Sequence, residues 1–131
     1  MFIKKVNINT IQKVEFKDIT SSVRQTVRDS GVENGLCVVY IPHTTAGVTI
    51  NENADPDVVK DMTKTLNEVI PFDNSYAHME GNSAAHIKAS LMGSSVTVIV
   101  EKGELLLGTW QGIYFCEFDG SRNRKFIISV N

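Results

Sequence analysis

The sequence predicts an α+β domain with a mostly antiparallel sheet, or a barrel-like sandwich, and two or three helices. Strand-like segments occur in consecutive runs near both ends of the chain instead of alternating strictly with helices. Two segments in the middle carry helix boundary residues. At roughly 100–200 residues per domain, the 131 residues fit one unit, so we expect a single domain over residues 1–131.

The first third of the chain predicts two strands and a helix. Residues 2–17 alternate apolar and polar side chains, which indicates two strands with a turn near Asn9 and Thr10. Asp18 or Thr20 is placed to cap a following helix. Gly31 is a typical residue for the end of that helix.

The next segments predict two short strands and the clearest helix. The run LCVVYI at 36–41 indicates a strand buried on both faces, and GVTI at 47–50 indicates a second strand. Asp55 and Pro56 suit the N-cap and first position of a helix over 55–70. Its apolar face would carry Val59, Met62, Leu66 and Val69.

The last third predicts a loop, a helix and several strands. The polar residues 71–82 indicate a loop, and Asn82 or Ser83 would cap a helix that Gly93 ends. The Asp119-Gly120 pair between apolar runs predicts a β-hairpin. The strand-like segments are 95–101, 105–110, 111–118 and 125–130.

Composition excludes several classes of protein. The chain has 15 acidic and 13 basic residues, and this near balance argues against a nucleic-acid-coating protein or a polybasic membrane anchor. No apolar run reaches the ~20 residues of a membrane span, and the N-terminus lacks a signal-peptide pattern, so we expect a cytoplasmic protein. Cys37 and Cys116 lie within apolar runs, which favours buried thiols over a metal or disulfide pair; a nucleophilic cysteine is the alternative.

The first polar segment, residues 43–55, directly follows the buried strand. Short hydroxyl, amide and carboxylate side chains crowd this segment, more than a capped turn needs. Asp55 alone is explained by the helix start. The rest of the segment predicts a binding site at the end of a strand.

The second polar segment, residues 78–88, surrounds the start of the predicted helix that Gly93 ends. His78 and Glu80 lie before this helix and His86 lies one turn inside it, where free backbone amides attract anions. Together with His43, all three histidines of the chain fall in the two polar segments. A phosphate or metal site is therefore a candidate, although no histidine spacing matches a zinc motif such as HExxH.

The third polar region comprises residues 108–112 and 119–125. Trp110 between glycines indicates either a bend where the backbone passes close to another group or a core tryptophan. Arg122, Arg124 and Lys125 form the densest basic cluster of the chain. This cluster is either a solvated turn or, if it folds toward the histidines, an anion site.

These segments together resemble the YjbQ-type family, whose members are described as secondary thiamine-phosphate synthases. The matching motifs are HTTAGVTINENADPDV, H-x-E-G-N-x-x-A-H-x-K, LGTWQGIY and EFDG-x-R-x-R, in that order over nearly the whole chain. Ile99 and Ser121 stand where a proline is expected from this resemblance. The resemblance implies a compact α+β or barrel-like domain that forms homotrimers.

The resemblance also implies one site that contains most of the polar candidates. The expected catalytic residues are His43, His78, His86, Glu80 and Glu52. The expected substrate-binding residues are Thr44, Thr45, Asn51, Asn82, Lys88, Trp110, Gln111, Arg122 and Arg124. The three histidines are also the candidate metal ligands.

Three functions remain open from the sequence. The resemblance implies a transferase that joins a pyrimidinylmethyl diphosphate to a thiazole phosphate and releases diphosphate, for which Mg²⁺ on carboxylates plus arginines would neutralise the leaving group. Neutral imidazoles suit Mg²⁺ poorly, so a hydrolase or lyase with Zn²⁺ on three histidines is the second hypothesis. The third is a non-enzymatic trimeric module that binds a small ligand. We expect a phosphorylated small-molecule substrate, and neither a nucleic acid nor a membrane as partner.

Overall fold

The computed structural model describes residues 1–131 and contains eight strands and three helices. The strands are β1 (Phe2–Asn9), β2 (Glu15–Asp18), β3 (Gly35–Tyr40), β4 (Ala46–Glu52), β5 (Ser95–Glu101), β6 (Glu104–Leu105), β7 (Gln111–Glu117) and β8 (Asn123–Val130). The helices are α1 (Thr20–Ser30), α2 (Pro56–Val69) and α3 (Ser83–Met92). The predicted α+β class is confirmed.

The strands form two antiparallel sheets. The first sheet has five strands in the order β1-β8-β3-β5-β6, and the second has three in the order β2-β7-β4. Because β1 and β2 lie in different sheets, the predicted turn near Asn9 and Thr10 joins sheets and does not close a hairpin. No helix of the structure combines the length and apolar character that crossing a membrane requires.

The hairpin predicted at Asp119-Gly120 is wrong. Strand β7 pairs with β2 on one side and with β4 on the other, so neither edge is free for β8. Strand β8 instead lies between β1 and β3 in the other sheet. The predicted strand at 105–110 is also largely wrong, because pairing ends at Leu105 and a turn closed by the Gln111 amide and the Gly108 carbonyl (3.1 Å) follows.

The main core lies between the two sheets. Apolar side chains from the inner faces of both sheets pack there against Val23 and Val27 of α1. Cys37 is in this core as a free thiol, and burial raises its pKa to about 11. Cys116 is also free and buried, and burial raises its pKa still further, so both cysteines are packing residues, as predicted.

Helix α3 covers the outer face of the three-stranded sheet. Ala85 and Ala89 of this helix pack against Tyr114 and Cys116 of β7 and against Phe118, which directly follows β7. The small alanine side chains let the helix approach the sheet closely. This contact fixes the N-terminus of α3, with its polar loop, beside the end of β3 and the start of β8.

Local sequence signals set most helix ends. The Asp55 carboxylate accepts a hydrogen bond from the Asp57 amide at 2.9 Å, and Pro56 occupies the first turn of α2, as predicted. Asp18 accepts from the Thr20 amide at 2.9 Å at the start of α1, and Gly31 ends that helix in the left-handed conformation (φ 70°). Asn82 precedes α3 but its side chain caps no amide of the helix.

Candidate functional site

A polar cleft of about 720 Å³ lies where the end of β3, the start of α3 and the start of β8 meet. Nine of the predicted site residues line it: His43, Thr44, Thr45, His78, Glu80, Asn82, His86, Arg122 and Arg124. The other lining residues are Tyr40, Ile41, Pro42 and Ser94. The three histidines and two of the three cations of the basic turn therefore share one cavity of a size typical for small-molecule sites.

His43 is held by the backbone of β8. Pro42 follows β3 and interrupts its pairing with β8. The His43 Nε2 atom contacts β8 instead, 3.0 Å from the Lys125 amide nitrogen and 3.1 Å from the Lys125 carbonyl oxygen. The other ring nitrogen, Nδ1, has no partner within the protein. Burial and the charge of Arg124 lower the pKa of His43, which favours the neutral form of the ring.

His78 and His86 form a pair on the α3 side of the cleft. Their ring centroids are 5.5 Å apart and the rings are nearly perpendicular. The Glu80 carboxylate lies 3.9 Å from His78 Nε2. No three His, Cys, Asp or Glu side chains come together in a group that could hold a metal ion, so in this conformation the histidines share a cleft without sharing one point.

A buried ion pair forms the floor of the cleft. Arg124 is only 6% exposed and Glu117 is fully buried. The guanidinium contacts both carboxylate oxygens, at 2.5 Å from Nη2 and 3.0 Å from Nε, and Nη2 also donates to Thr45 Oγ1 at 2.7 Å. Burial alone would raise the pKa of Glu117, but hydrogen bonds from Arg124 and from Thr10 hold it below its ordinary value.

A second carboxylate connects α3 to the basic turn. Asp119 Oδ2 accepts hydrogen bonds at 3.0 Å from both Asn82 Nδ2 and Arg122 Nη2. Arg122 Nε also donates to the Asp119 carbonyl at 2.9 Å. Asn82 Oδ1 is buried and has no hydrogen-bond partner, so this wall of the cleft has an unused acceptor.

Four predicted site residues lie away from the cleft. Ala46 pairs with Glu117 near the cleft and Glu52 pairs with Gln111 at the other end of the same ladder. At about 3.3 Å per residue, the two ends are about 20 Å apart. The residues at the far end are Asn51, Glu52, Trp110 and Gln111.

Local contacts explain the far-end residues in part. The Gln111 side chain accepts from the Gly108 amide at 2.8 Å, which stabilises the glycine turn. The Tyr114 hydroxyl donates to the Glu52 carbonyl at 3.1 Å. Trp110 is 62% exposed, so it is neither a core tryptophan nor part of the cleft within one chain.

The structure also places Lys88 outside the cleft. Its side chain is fully buried, its Nζ atom donates to Asn67 Oδ1 at 2.5 Å, and it lies 3.7 Å from the centre of the Phe72 ring. Lys88 therefore joins α3 to α2 and to the loop that carries His78. Burial lowers the pKa of Lys88 to about 8.

Sequence reasoning did not select Glu117, Asp119 or Thr10. The available signal for Glu117 was a single acid inside the apolar run IYFCEF, followed after the turn by arginine. An acid at a buried strand position needs a buried partner, and Arg124 on the adjacent sheet provides it. Asp119 was assigned to a hairpin turn that does not exist.

Comparisons with known proteins agree with this fold. A family model described as UPF0047 protein YjbQ-like matches residues 4–131. The UPF0047 protein YugU of Bacillus subtilis is 53% identical over 129 residues, covering 98% of each chain. The UPF0047 protein MJ1081 of Methanocaldococcus jannaschii is 50% identical over 126 residues, covering 96% of this chain and 91% of the relative.

Solved structures also match the fold of this chain. A crystal structure from Clostridium acetobutylicum, described as an uncharacterized conserved protein of the YjbQ/UPF0047 family, has a TM-score of 0.97 and 55% identity and covers 98% of this chain and 99% of that one. A hypothetical protein from Aeropyrum pernix has a TM-score of 0.95 at 34% identity, with 100% and 98% coverage.

Proposed function

The chain belongs to the YjbQ-like UPF0047 family, and we propose that it is a small-molecule transferase acting on a phosphorylated substrate. The specific reaction we propose joins a pyrimidinylmethyl diphosphate to a thiazole phosphate with release of diphosphate. The observation that carries the proposal is the convergence of three histidines and two arginines on one cleft of about 720 Å³. A diphosphate ester needs this combination of hydrogen-bond donors and cations around its oxygens.

The reaction places its main demand on the leaving group. The bond between the methylene carbon and the ester oxygen breaks with its electron pair on diphosphate, and the thiazole nitrogen supplies the pair for the new carbon–nitrogen bond. Negative charge therefore grows on the diphosphate oxygens. Arg124 and Arg122 would donate hydrogen bonds to those oxygens, and the walls of the cleft would limit the access of water to the reacting carbon.

The histidines have separate parts in this proposal. His43 Nε2 accepts from the Lys125 amide, so Nδ1 of the neutral ring carries the proton and would donate to an acceptor of the substrate. His78 and His86 lie side by side near the N-terminus of α3, where free backbone amides favour an anion. We assign this pair to the second phosphate group of the reactants.

Magnesium fits the cleft through one carboxylate. Mg²⁺ is usually bound by one or two carboxylates together with substrate phosphates, and Glu80 is the carboxylate that lines the cleft. When bound, the ion would neutralise charge on the leaving diphosphate. Glu52 lies at the far end of β4 and would not contribute within one chain.

A zinc-dependent hydrolase or lyase is the second candidate, favoured by the three histidines that line one cleft. To bind zinc through Nδ1, His43 would need the tautomer in which Nε2–H donates to the Lys125 oxygen. It ranks second because His43, His78 and His86 do not form a ligand set in this conformation. Elemental analysis separates the two candidates: stoichiometric zinc, lost in His78→Ala, would favour the hydrolase.

We also propose that the chain forms a homotrimer. The supporting observation is the outward face of the five-stranded sheet, which exposes large apolar side chains among its polar ones. They include Ile3, Leu36, Tyr40 and Ile99. Tyr40 also lines the cleft, so this face and the cleft are adjacent.

Turnover of the two thiamine precursors with Mg²⁺ tests the transferase. We expect product formation by the parent protein and its loss in His86→Ala, with circular dichroism unchanged. If the triple variant His43→Ala/His78→Ala/His86→Ala is as active as the parent, the assignment is wrong. If the triple variant binds its ligand normally but no longer assembles, the non-enzymatic trimeric module is supported instead.

A further inference from the structure

The segment from Glu117 to Asp119 organises one whole side of the cleft. Glu117 holds Arg124, and its Oε2 atom also accepts from the Asp119 amide at 3.1 Å. Asp119 in turn holds Asn82 and Arg122. Three residues that line the cleft therefore take their positions from this short segment, which itself lies behind them.

Arg124 is the most firmly fixed of these lining residues. Its Nε and Nη2 atoms are used by Glu117 and Thr45. Its Nη1 atom has no hydrogen-bond partner within the protein. Asn82 Oδ1 is the only polar side-chain atom that is both fully buried and unpartnered, so Nη1 is not fully buried. Since Arg124 lines the cleft, its two remaining N–H donors are available to a ligand there.

We propose that Arg124 is the anion anchor of the cleft, binding an oxyanion of the phosphorylated substrate through Nη1, and that Glu117 is the positioning residue that aims it. This inference rests on the proposed function for the kind of substrate, but its core claim concerns oxyanion binding alone. The site would take a phosphate or diphosphate group.

The geometry favours Arg124 over the other cations near the cleft. A guanidinium that is 6% exposed and already fixed at two nitrogens loses little side-chain freedom when it binds an anion. Arg122 is about half exposed, with a side-chain exposure of 49%, and Lys125 is exposed. Water screens the charge of both exposed side chains, which reduces the affinity that each can supply.

Glu117 sets the direction of the Arg124 donors. Its two oxygens contact one edge of the planar guanidinium, so the Nη1 edge is turned away from the carboxylate. Thr10 donates to Glu117 Oε1 at 2.7 Å and fixes the carboxylate in turn. A shorter acid at position 117 would keep the charge and move the guanidinium.

Isothermal titration with inorganic diphosphate tests the proposal, using two charge-conserving variants. Arg124→Lys keeps the cation but removes Nη1, and Glu117→Asp keeps the anion but shortens it. The exposed pair Arg28–Glu104, remote from the cleft, supplies the matched controls Arg28→Lys and Glu104→Asp. We expect both 124 and 117 variants to bind diphosphate at least tenfold more weakly, and both controls to bind within twofold of the parent.

Two further proteins separate misplacement from loss of folding. Val98→Ala removes core packing without touching the network, so it should lower stability and leave diphosphate affinity unchanged. Thr45→Val removes the hydroxyl that accepts from Arg124 Nη2 while leaving the ion pair, and should weaken binding about threefold even if the 117 variant fails to fold.

The outcomes are distinct from those of the turnover assay. If the parent does not bind diphosphate, or if Arg124→Lys and Glu117→Asp bind it as the parent does, the anchor is wrong. A parent that binds diphosphate through Arg124 but forms no thiamine phosphate would contradict only the proposed transferase.

Discussion

Lys88 shows how a residue that matches a functional motif can serve packing. It lies in the histidine motif of α3, but α3 turns its side chain away from the cleft toward Asn67 and Phe72. Lys13 lies over the same Phe72 ring, 4.3 Å from its centre. The aromatic ring and one amide oxygen are the partners of a fully buried ammonium group.

The stability of the protein should depend on Lys88 at alkaline pH. Burial lowers the pKa of this lysine to about 8 in the folded protein, from 10.5, so between these values the unfolded chain binds more protons. The free energy of unfolding therefore gains a contribution that rises with pH in this window, by roughly 3 kcal/mol. Urea denaturation from pH 7.5 to 10.5 should show this rise in the parent relative to Lys88→Met. A constant difference between the two proteins would contradict it.

The chemistry of single residues predicted the three histidines of the cleft but not the residues that hold the cleft together. His43, His78 and His86 were recognisable because they stand in crowded polar segments of the sequence. Glu117 and Thr10 were not, because their partners are not local. Glu117 binds Arg124 of the other sheet, and Thr10 binds Glu117, which lies 107 positions away. Nothing in a local pattern indicates which buried strand will face an arginine.

At the scale of elements, strand β4 divides one sequence motif between two places. The motif HTTAGVTINEN reads as a single polar site, but its middle is a seven-residue strand. Thr44 and Thr45 stay at the cleft, while Asn51 and Glu52 are carried about 20 Å away. The short strand predicted at 47–50 already separates the two ends of the motif. In the structure this strand is Ala46–Glu52, and its length sets the distance between them.

Gly47 determines how closely β4 approaches α3. A Cβ atom at this position would lie 2.8 Å from the Gly93 carbonyl oxygen and 3.1 Å from Met92 Cβ. Gly47→Ala should therefore push α3 outward, lower the free energy of unfolding by about 1–3 kcal/mol and displace His86.

Urea denaturation measures the loss of stability, and histidine NMR signals report the change in the His78–His86 contact. Gly31→Ala is the control, since Gly31 has φ 70° but open space around it, and should cost about 1 kcal/mol without moving the histidine signals. Equal behaviour of the two variants would show that Gly47 matters only for backbone flexibility.

Helix elements were easier to predict than strand pairing. Asp55, Pro56 and Gly31 act through neighbours within four residues, so their roles follow from sequence. Strand pairing depends on residues far along the chain, and the Asp119-Gly120 turn has the composition of a hairpin although both of its strands already have other partners.

At the scale of the whole molecule, the outward face of the five-stranded sheet carries an exposed apolar patch. Leu36 pairs with Ile99 in register, and both are about half exposed, at 47% and 54%. An apolar patch of this kind on an open sheet is typical of a protein interface. The sequence alone did not distinguish this face, because continuous apolar runs also occur in strands buried on both sides.

The double variant Leu36→Lys/Ile99→Lys should prevent assembly. Two lysine charges on the same face would be desolvated in a subunit contact, which opposes assembly by several kcal/mol per charge. Light scattering after size exclusion should give an oligomer for the parent and a 14.5 kDa monomer for the variant. Leu91→Lys, on exposed α3 surface, is the control and should remain assembled. A parent of monomer mass would contradict the trimer.

The pairing of the first strand with the last has a consequence for how the chain is made. Residues Phe2 to Asn9 have a single sheet neighbour, the strand from Asn123 to Val130. On the ribosome, β1 therefore emerges well before β8 and stays unpaired until β8 follows. Such non-local pairing gives folding times of about milliseconds to seconds. A nascent chain that stalls before Asn123 lacks β8, which is the single partner of β1 and one of the two partners of β3. We therefore expect it to expose β1 and one edge of β3 to chaperones and proteases.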